Sequence, residues 1–242
     1  MHPVAKAIVR HLPEALKATV DWEVFGRKER SGRFHASDLN TYHRTTPDYA
    51  FCLRQYLGLP CAKAWKSEVV LSIGVGLGID AITRLAMDQA GAAGEIEVET
   101  QAALYDETLL LGGTPDLIWE CFGDSVVGDV KSTDRFTFRS YWGNPGWDLS
   151  RASFWRQLQA YLMLLGTDEG LFLPVDRDRF YQAVSRGGDL DRVAEAITAR
   201  PFYRDEVVIG KITADLELLR ERVARYEATE DPAERDQLLR FA

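Results

Sequence analysis

The residues best suited to chemistry lie in one short stretch of the chain, GTPDLIWECFGDSVVGDVK, which runs from Gly113 to Lys131. Its reactive groups are the carboxylates of Asp116 and Asp129 and the amine of Lys131. Carboxylates, together with water and substrate phosphate, are the ligands that Mg²⁺ prefers. A lysine beside such an ion can orient or help deprotonate a water, or stabilise charge that builds on a phosphate. The stretch therefore predicts a metal site for phosphate chemistry.

A β-hairpin would bring these groups together. Two runs of strand-forming residues flank a turn pair: Leu117–Trp119, Ser125–Val130 and, between them, Gly123-Asp124. Asp116 lies about seven residues before the bend and Asp129 about six after it, so a rise of about 3.3 Å per residue brings the carboxylates level. Asp129 and Lys131 are separated by one residue and therefore share a face of their strand.

The alternative is a surface hairpin that carries an exposed Lys–Asp ion pair, which would contribute little to stability. Asp129, however, follows Val126 and Val127 and precedes Val130 in an apolar run that is typical of a buried strand. A charge buried there is costly unless a partner or a metal compensates it. The sequence thus favours a functional site.

Composition limits the class of protein. A chain of 242 residues that is 46% hydrophobic suits one domain of ordinary size with added helices, or one and a half domains. A net charge of −8 argues against broad coating of DNA, but not against one basic groove. The N-terminus lacks a signal-peptide core, and charges and glycines interrupt the most apolar stretch, Val69–Met87, so no membrane span is predicted. Three cysteines without a secretory signal predict reduced thiols and a cytoplasmic setting.

A second motif lies downstream, on a helix predicted to begin near Asp148 or Ser150 and to end at Gly166. Gln157 and Tyr161 are one turn apart on it and point to one place. A glutamine can orient a water or bind phosphate, and the tyrosine can hold the glutamine. The alternative is an ordinary packing helix with one polar residue.

Together these motifs resemble the PD-(D/E)XK nuclease superfamily, and in particular its RecB-like branch, which carries a Gln-x-x-x-Tyr helix after the core. Pro115-Asp116 matches the first part of the motif, Asp129-Val130-Lys131 the second, and Gln157 to Tyr161 the helix. CRISPR-adaptation nucleases and some phage recombination exonucleases belong to this branch. The resemblance covers roughly residues 37 to 175. It implies an α/β fold with a restriction-endonuclease-like core, in which helices flank a central mixed sheet, with extra N- and C-terminal helices.

The resemblance also implies a function, the hydrolysis of phosphodiester bonds in DNA by an exonuclease that uses Mg²⁺ or Mn²⁺. Asp116 and Asp129 would hold the ion, with the Val130 carbonyl as a further ligand. Lys131 would position or activate the attacking water and stabilise charge. Gln157 and Tyr161 would align the water, the lysine or the phosphate.

Asp80 is a further candidate ligand. It stands in Gly76-Leu-Gly-Ile-Asp80, at the position where relatives in this branch carry a metal-binding histidine. An oxygen ligand can replace nitrogen for Mg²⁺ or Mn²⁺. The alternative is that Asp80 faces solvent or pairs with Arg84 one turn later.

No iron–sulfur cluster is predicted, although some members of the branch have one. In those members a cysteine at the position of Cys52 joins three cysteines near the C-terminus. This chain has no cysteine beyond Cys121, and the usual cluster needs four thiolates. Cys52 is instead predicted to be a small core residue.

Contacts to DNA are predicted from residues that flank the motifs. The hydroxyl of Ser132 would bind phosphate, and so would the guanidinium groups of four arginines: Arg135, Arg139, Arg151 and Arg156. Arg135 and Arg139 lie in RFTFRSYWGNPGW, which reads as a loop, and arginines among aromatics suit stacking on unpaired bases. The alternative for this loop is a lid packed on the core.

Three segments are predicted: an N-terminal helical arm (1–36), the nuclease core (37–176) and a C-terminal helical extension (177–242) packed on it. The expected partners are DNA, as ends or single strands, and a recombination or CRISPR-adaptation protein. Two other functions stay open. One is a catalytically weakened nuclease fold that binds DNA or a protein, and the other is a metal-dependent hydrolase of small phosphates.

Overall fold

The computed structural model describes residues 32–40, 47–59, 98–100, 102–121, 124–185, 192 and 195–240. Asp80 and the predicted N-terminal helix lie outside these ranges. Eight strands are described: β1 (Phe34–His35), β2 (Val98–Thr100), β3 (Leu104–Asp106), β4 (Leu111–Gly113), β5 (Leu117–Cys121), β6 (Asp124–Thr133), β7 (Glu169–Asp176) and β8 (Arg200–Tyr203).

Six α-helices are described: α1 (Tyr49–Tyr56), α2 (Arg135–Thr137), α3 (Trp155–Leu165), α4 (Arg177–Ser185), α5 (Glu206–Ala228) and α6 (Pro232–Leu238). Helix α2 runs directly into a π-helix at Phe138–Trp142. Short 3-10 helices occupy Ala36–Leu39 and Leu149–Arg151.

A five-stranded mixed sheet, in the order β2-β5-β6-β7-β8, is the centre of the described part. The predicted hairpin is confirmed, because β5 and β6 pair antiparallel with Leu117 opposite Gly128 and Cys121 opposite Asp124. Strands β6 and β7 pair in parallel. A parallel pair needs a long crossover, and the chain supplies it with α2, the π-helix and α3. The crossover therefore places α3 against the sheet.

Helix α3 is buried along the stripe that its sequence predicts. Phe154, just before the helix, Leu158, Tyr161 and Leu162 are each at most 4% exposed. They pack in the main core with α5 and with Phe34. The helix ends where expected, since Gly166 adopts φ +74°, the left-handed conformation that glycine tolerates best.

The opposite face of the sheet carries a second, smaller core. It contains Leu117, Val130, Val175, Phe180 and Ala196, and Phe180 belongs to α4. The sheet is thus covered on both faces, as an α/β architecture requires.

A three-stranded sheet, in the order β1-β4-β3, lies beside the main one. Its strand β4 ends in Gly112-Gly113, which was expected to allow a close approach. A Cβ at Gly113 would lie 2.9 Å from Cε1 of Tyr161, so the absence of a side chain lets the α3 tyrosine reach the strand.

Several elements around this core differ from the predictions made from the sequence. The segment from Arg135 to Trp142 was predicted as a loop but is helical, because the Asp134 carboxylate accepts a hydrogen bond from the Thr137 N–H and caps α2. The mixed-charge sequence from Asp189 to about Ala199 also predicts a helix, and this is wrong for its described end, where Ile197 makes a β-bridge with Val175. Helix α4 and strand β8 were not predicted.

Helices α5 and α6 lie within residues 177–242, and the division of the chain into three segments stays a prediction. Helix α5 begins earlier than expected, at Glu206, because Asp205 accepts hydrogen bonds from the N–H groups of Val207 and Val208. The apolar run that contains Val207 is therefore the first turn of this helix.

Among the described residues, no helix is both long and apolar enough to cross a membrane.

We expect Gly128→Ala to lower the free energy of unfolding by about 1–3 kcal/mol, the usual cost of overpacking. An added Cβ would lie 2.3 Å from Cδ1 of Leu117 and 2.8 Å from Cζ3 of Trp119. Gly210→Ala is the matched control, because nothing lies within 4 Å of its added Cβ inside α5. There, alanine should raise stability by about 0.5–1 kcal/mol. Urea denaturation measures both, and equal effects would contradict the packing described for the hairpin.

Candidate active site

The β5–β6 hairpin opens at the end that carries the acidic residues. Leu117 and Gly128 form the last registered pair, whereas β6 continues beyond it beside β7. Asp116 lies just before the start of β5, and its Oδ2 accepts a hydrogen bond of 2.8 Å from the backbone N–H of Val130 on β6. Asp116 therefore comes level with Asp129 on the neighbouring strand, as the hairpin geometry predicted.

The Val130 carbonyl faces the same edge. In an extended strand the N–H and C=O of one residue point to the same side, which is why a hydrogen-bonded pair can exchange both bonds. Because the Val130 N–H points to Asp116, its carbonyl oxygen lies on the Asp116 side as well.

Asp129 is buried, with 2% of its surface exposed, and shares a face with Lys131. Lys131 Nζ lies 2.7 Å from Asp129 Oδ2. This ion pair is the contact that the buried Oδ2 makes, and the described residues offer it no other hydrogen-bond partner. Burial raises the pKa of Asp129 to about 6, Lys131 opposes this shift, and the Asp116 charge adds to it.

Lys131 carries the positive charge of the site. Burial acts to lower the pKa of Lys131, but the negative charge of Asp129, together with Tyr161 and Asp116, outweighs burial and raises that pKa. Nζ also lies 5.5 Å from the ring centroid of Phe154, within the range of a cation–π interaction. The Lys131 side chain keeps 24% of its surface exposed.

Gln157 and Tyr161 meet at one place, as the Gln-x-x-x-Tyr spacing predicts. Gln157 Nε2 donates to Tyr161 Oη at 2.7 Å, and Gln157 Oε1 accepts from Nδ2 of Asn40 at 3.0 Å. The Tyr161 hydroxyl donates to the Thr114 carbonyl at 3.2 Å. Burial raises the pKa of Tyr161, and the charge of Asp129 adds to the shift, so the hydroxyl keeps its proton. The pair therefore ties α3 to the backbone just before Asp116.

The donor set fits a hard divalent cation. Two carboxylates converge with a backbone carbonyl on one edge, and one buried carboxylate oxygen has no hydrogen bond among the described residues. Mg²⁺ is commonly held by one or two carboxylates and keeps several waters. In the described ranges no three His, Cys, Asp or Glu side chains cluster in a way that would hold a metal, and the predicted ligand Asp80 lies outside them.

The predicted DNA contacts fall into different environments. Arg156 forms a part-buried ion pair with Asp215, which also accepts a 2.7 Å hydrogen bond from the Tyr49 hydroxyl. These contacts join α3 to α5 and α1. Ser132 alternates with Lys131 along β6 and therefore lies on the opposite face of the sheet. The structure thus does not bring either side chain to the Asp129–Lys131 face, and their roles as DNA contacts stay predictions.

The remaining arginines lie nearer the surface. Arg135 Nε lies 3.5 Å from Asp176, and Arg151 Nε lies 3.7 Å from Asp148. Arg139 is exposed, and among the described residues no carboxylate pairs with it. Arg139 is therefore the arginine of the predicted set with the fewest competing contacts.

Sequence reasoning missed several residues that support the site. Asn40 is one of them, because nothing in the sequence indicates its bond to Gln157, which lies 117 residues away. Phe154 was predicted as a core residue but not as the ring under Lys131. Cys52, by contrast, is 1% exposed, as the prediction of a core residue requires.

Scans against protein-family models and curated proteins found no match. Among solved structures, the chain is similar to an alkaline exonuclease (LHK-Exo) from Laribacter hongkongensis, with 17% identity and a TM-score of 0.54 over 93% of this chain and 95% of that one. LHK-Exo in complex with dAMP matches with the same identity of 17% and TM-score of 0.54, over 86% and 92% of the two chains. At this identity the similarity shows the fold, which is the predicted restriction-endonuclease-like α/β core.

In protein freed of divalent cations, we expect Asp129→Asn to change how stability depends on pH. Because the pKa of Asp129 is raised to about 6, the folded state holds a proton that the unfolded state has already lost above about pH 4. The free energy of unfolding of the unmodified chain should therefore fall, relative to that of Asp129→Asn, as the pH rises from about 4 to about 6. Urea unfolding in EDTA across this range measures the difference.

The control for this experiment is Asp168→Asn, since the Asp168 side chain is 89% exposed. The free energy of unfolding of the unmodified chain should not fall relative to that of Asp168→Asn over the same pH range. If the free energy of unfolding of the unmodified chain instead rose with pH relative to that of Asp129→Asn, Lys131 would lower the pKa of Asp129 more than burial raises it.

Proposed function

We propose that this protein is a divalent-cation-dependent deoxyribonuclease that hydrolyses phosphodiester bonds from DNA ends. The observation that carries the proposal is the open end of the β5–β6 hairpin. There Asp116 is fixed by the Val130 N–H at 2.8 Å, and Asp129 lies 2.7 Å from the Lys131 ammonium group. Acidic oxygens and a cation at one strand edge suit the binding and attack of a phosphodiester.

Asp116, Asp129 and the Val130 carbonyl would hold the cation, with Asp80 as a further proposed ligand. A bound Mg²⁺ or Mn²⁺ ion would supply a Lewis acid for the phosphate and lower the pKa of a coordinated water. The Asp129–Lys131 ion pair keeps both charges fixed in a site with little water, where electrostatic interactions are stronger than in bulk solvent.

Lys131 would orient the attacking water and stabilise negative charge on the phosphate. Its ammonium group has three N–H donors, and the Asp129 contact leaves the others available for a water or a phosphate oxygen. The Phe154 ring beneath it limits where Nζ can lie.

Gln157 and Tyr161 would position these groups. The Gln157 amide is oriented by Asn40 on one side and by the Tyr161 hydroxyl on the other. The hydroxyl in turn donates to the Thr114 carbonyl, two residues before Asp116. A shift of this chain of hydrogen bonds would move the strand segment that carries Asp116.

Action at DNA ends is supported by the fold that this chain shares with an alkaline exonuclease, one structure of which contains dAMP. A nucleoside monophosphate is the kind of product that stepwise hydrolysis of a DNA strand releases. A role in recombination, repair or CRISPR adaptation, with a protein partner from one of these processes and a cytoplasmic setting, belongs to the same proposal and is supported by the motif resemblance and the cysteine usage.

We expect end-labelled single- or double-stranded DNA to be degraded in the presence of Mn²⁺ or Mg²⁺. Lys131→Ala, Asp116→Asn and Asp129→Asn should each slow degradation by at least about 100-fold, because each removes charge or a ligand at the reacting phosphate. The measurement is the time course of labelled product. Lys211→Ala, an exposed lysine on α5, should leave the rate unchanged.

The failure of the proposal has a clear signature. A folded chain that leaves DNA intact with either cation, yet binds it in a salt-sensitive way, would be the catalytically weakened binding module instead. Hydrolysis of small phosphate esters without any action on DNA would indicate a phosphate hydrolase.

We also expect Mn²⁺ to raise the thermal unfolding midpoint of the unmodified chain, because a ligand that binds only the folded state stabilises it, by about 2.7 kcal/mol at 100 times its dissociation constant. Asp129→Asn should lose most of this shift, whereas Asp168→Asn should keep it. Calorimetry with and without Mn²⁺ measures the change. An undiminished shift in Asp129→Asn would mean that the ion binds elsewhere.

A further inference from the structure

Three aromatic side chains, two of them exposed and one partly buried, form a cluster on the segment between β6 and α3. We call it the aromatic ladder, and it consists of Phe136, Tyr141 and Trp147. Tyr141 is its centre, with the Phe136 ring 6.3 Å away and the Trp147 ring 5.7 Å away, both edge to face. Such geometry is typical of aromatic rings that hold one another in fixed orientations.

The ladder lies on the same side of the sheet as the candidate active site. Trp142, next to Tyr141 in the chain, packs edge to face on Phe154 with ring centroids 5.1 Å apart. Phe154 is the ring that lies 5.5 Å from Lys131 Nζ. Trp142 also packs on Phe172, which is paired with Asp129 in the β6–β7 register. A strand of DNA that reaches Lys131 would therefore pass close to the ladder.

The backbone that carries the ladder is held by hydrogen bonds from a neighbouring strand. The guanidinium group of Arg200, on β8, donates to the carbonyls of Trp142 at 3.1 Å and Trp147 at 2.6 Å. The turn between these residues is closed by the Trp147 N–H, which donates to the Asn144 carbonyl at 3.0 Å. Gly143 allows the tight packing, since an added Cβ would lie 2.6 Å from the Phe138 ring. The rings are thus presented on a rigid support.

Two rings of the ladder are exposed, whereas Trp147 is partly buried against the main core. Phe136 is 70% exposed, the largest value among the large hydrophobic side chains of the described residues, and it has no polar atom to bind water. Tyr141 is 41% exposed. Large apolar side chains grouped at the surface mark a binding site more often than isolated ones do.

A positive charge accompanies the rings. Arg139 lies between Phe136 and Tyr141 in the chain, is exposed, and has no carboxylate partner among the described residues. Aromatic faces together with a basic group are the combination that binds single-stranded nucleic acid, because bases stack on the rings while the phosphate contacts the cation.

We propose that the aromatic ladder is a stacking platform for unpaired bases of the DNA strand that enters the site of Lys131. This inference rests on the proposed nuclease function and adds its substrate class, a strand with at least a short single-stranded segment. Paired bases inside a duplex do not expose their faces to protein rings, so the platform favours single strands and frayed ends over intact duplex.

The test is binding of a single-stranded oligonucleotide containing 2-aminopurine, in EDTA so that no strand is cut. Phe136→Ala and Tyr141→Ala should each weaken binding by about five- to a hundred-fold, the usual effect of removing one stacked ring. They should also abolish the quenching of 2-aminopurine fluorescence that stacking causes. Phe136→Trp should keep both the binding and the quenching that Phe136→Ala loses, because it retains an aromatic ring. Binding of blunt duplex should change less.

Two exposed tyrosines elsewhere serve as matched controls. Tyr181 and Tyr203 are 50% and 59% exposed, and alanine at either position should leave binding unchanged. Normal binding and quenching in Phe136→Ala and Tyr141→Ala would overturn the platform, as would a failure of the unmodified chain to bind single strands.

The two proposals fail separately. Cleavage of DNA by the unmodified chain, with unchanged strand binding in the ladder variants, would retain the nuclease and remove the platform. Ladder-dependent binding without any cleavage would retain the platform and remove the nuclease.

Discussion

Two carboxylates held close together in a largely buried place repel each other, and each loses solvation there. The rest of the structure depends on how the chain compensates this cost at Asp116 and Asp129. A backbone N–H from Val130 is directed at the first carboxylate and the ammonium group of Lys131 at the second. Both compensating groups come from β6 itself, so the site requires only that the pairing of β5 begin at Leu117, one residue after Asp116. The charge that remains is the reason a cation is expected there.

The other elements keep this hairpin end in place. Helix α3 approaches so closely at Tyr161 that its partner strand β4 carries a glycine at position 113. The small core on the opposite face of the main sheet, with Val130 and Phe180, packs behind β6, the strand that carries Asp129 and Lys131. A polar site is thus supported by apolar packing on both faces of the sheet, which keeps water out and limits movement of the charged groups.

The hairpin and the Gln157–Tyr161 pair could be predicted because each depends on local spacing, and the family resemblance that these motifs carry implied the fold class. A two-residue period, a turn pair and a one-turn separation are all visible in the sequence. Contacts between distant segments could not be predicted, as with Asn40 and Gln157, or Arg156 and Asp215. The segment from Arg135 was predicted as a loop, whereas the capping bond of Asp134 and the carbonyls held by Arg200 favour helix. The ranges outside the described residues leave Asp80 as a prediction.

The hydrogen bond from Asn40 to Gln157 has a consequence for how the protein matures. It joins positions 117 residues apart, and long-range contacts of this kind form only after a large loop has closed. During synthesis, Asn40 leaves the ribosome long before the glutamine does. The amide of Gln157 therefore acquires its final orientation late, when the first part of the chain docks on the finished crossover. A nascent chain would therefore contain the hairpin that carries Asp116 and Asp129 before the Gln157 amide was oriented.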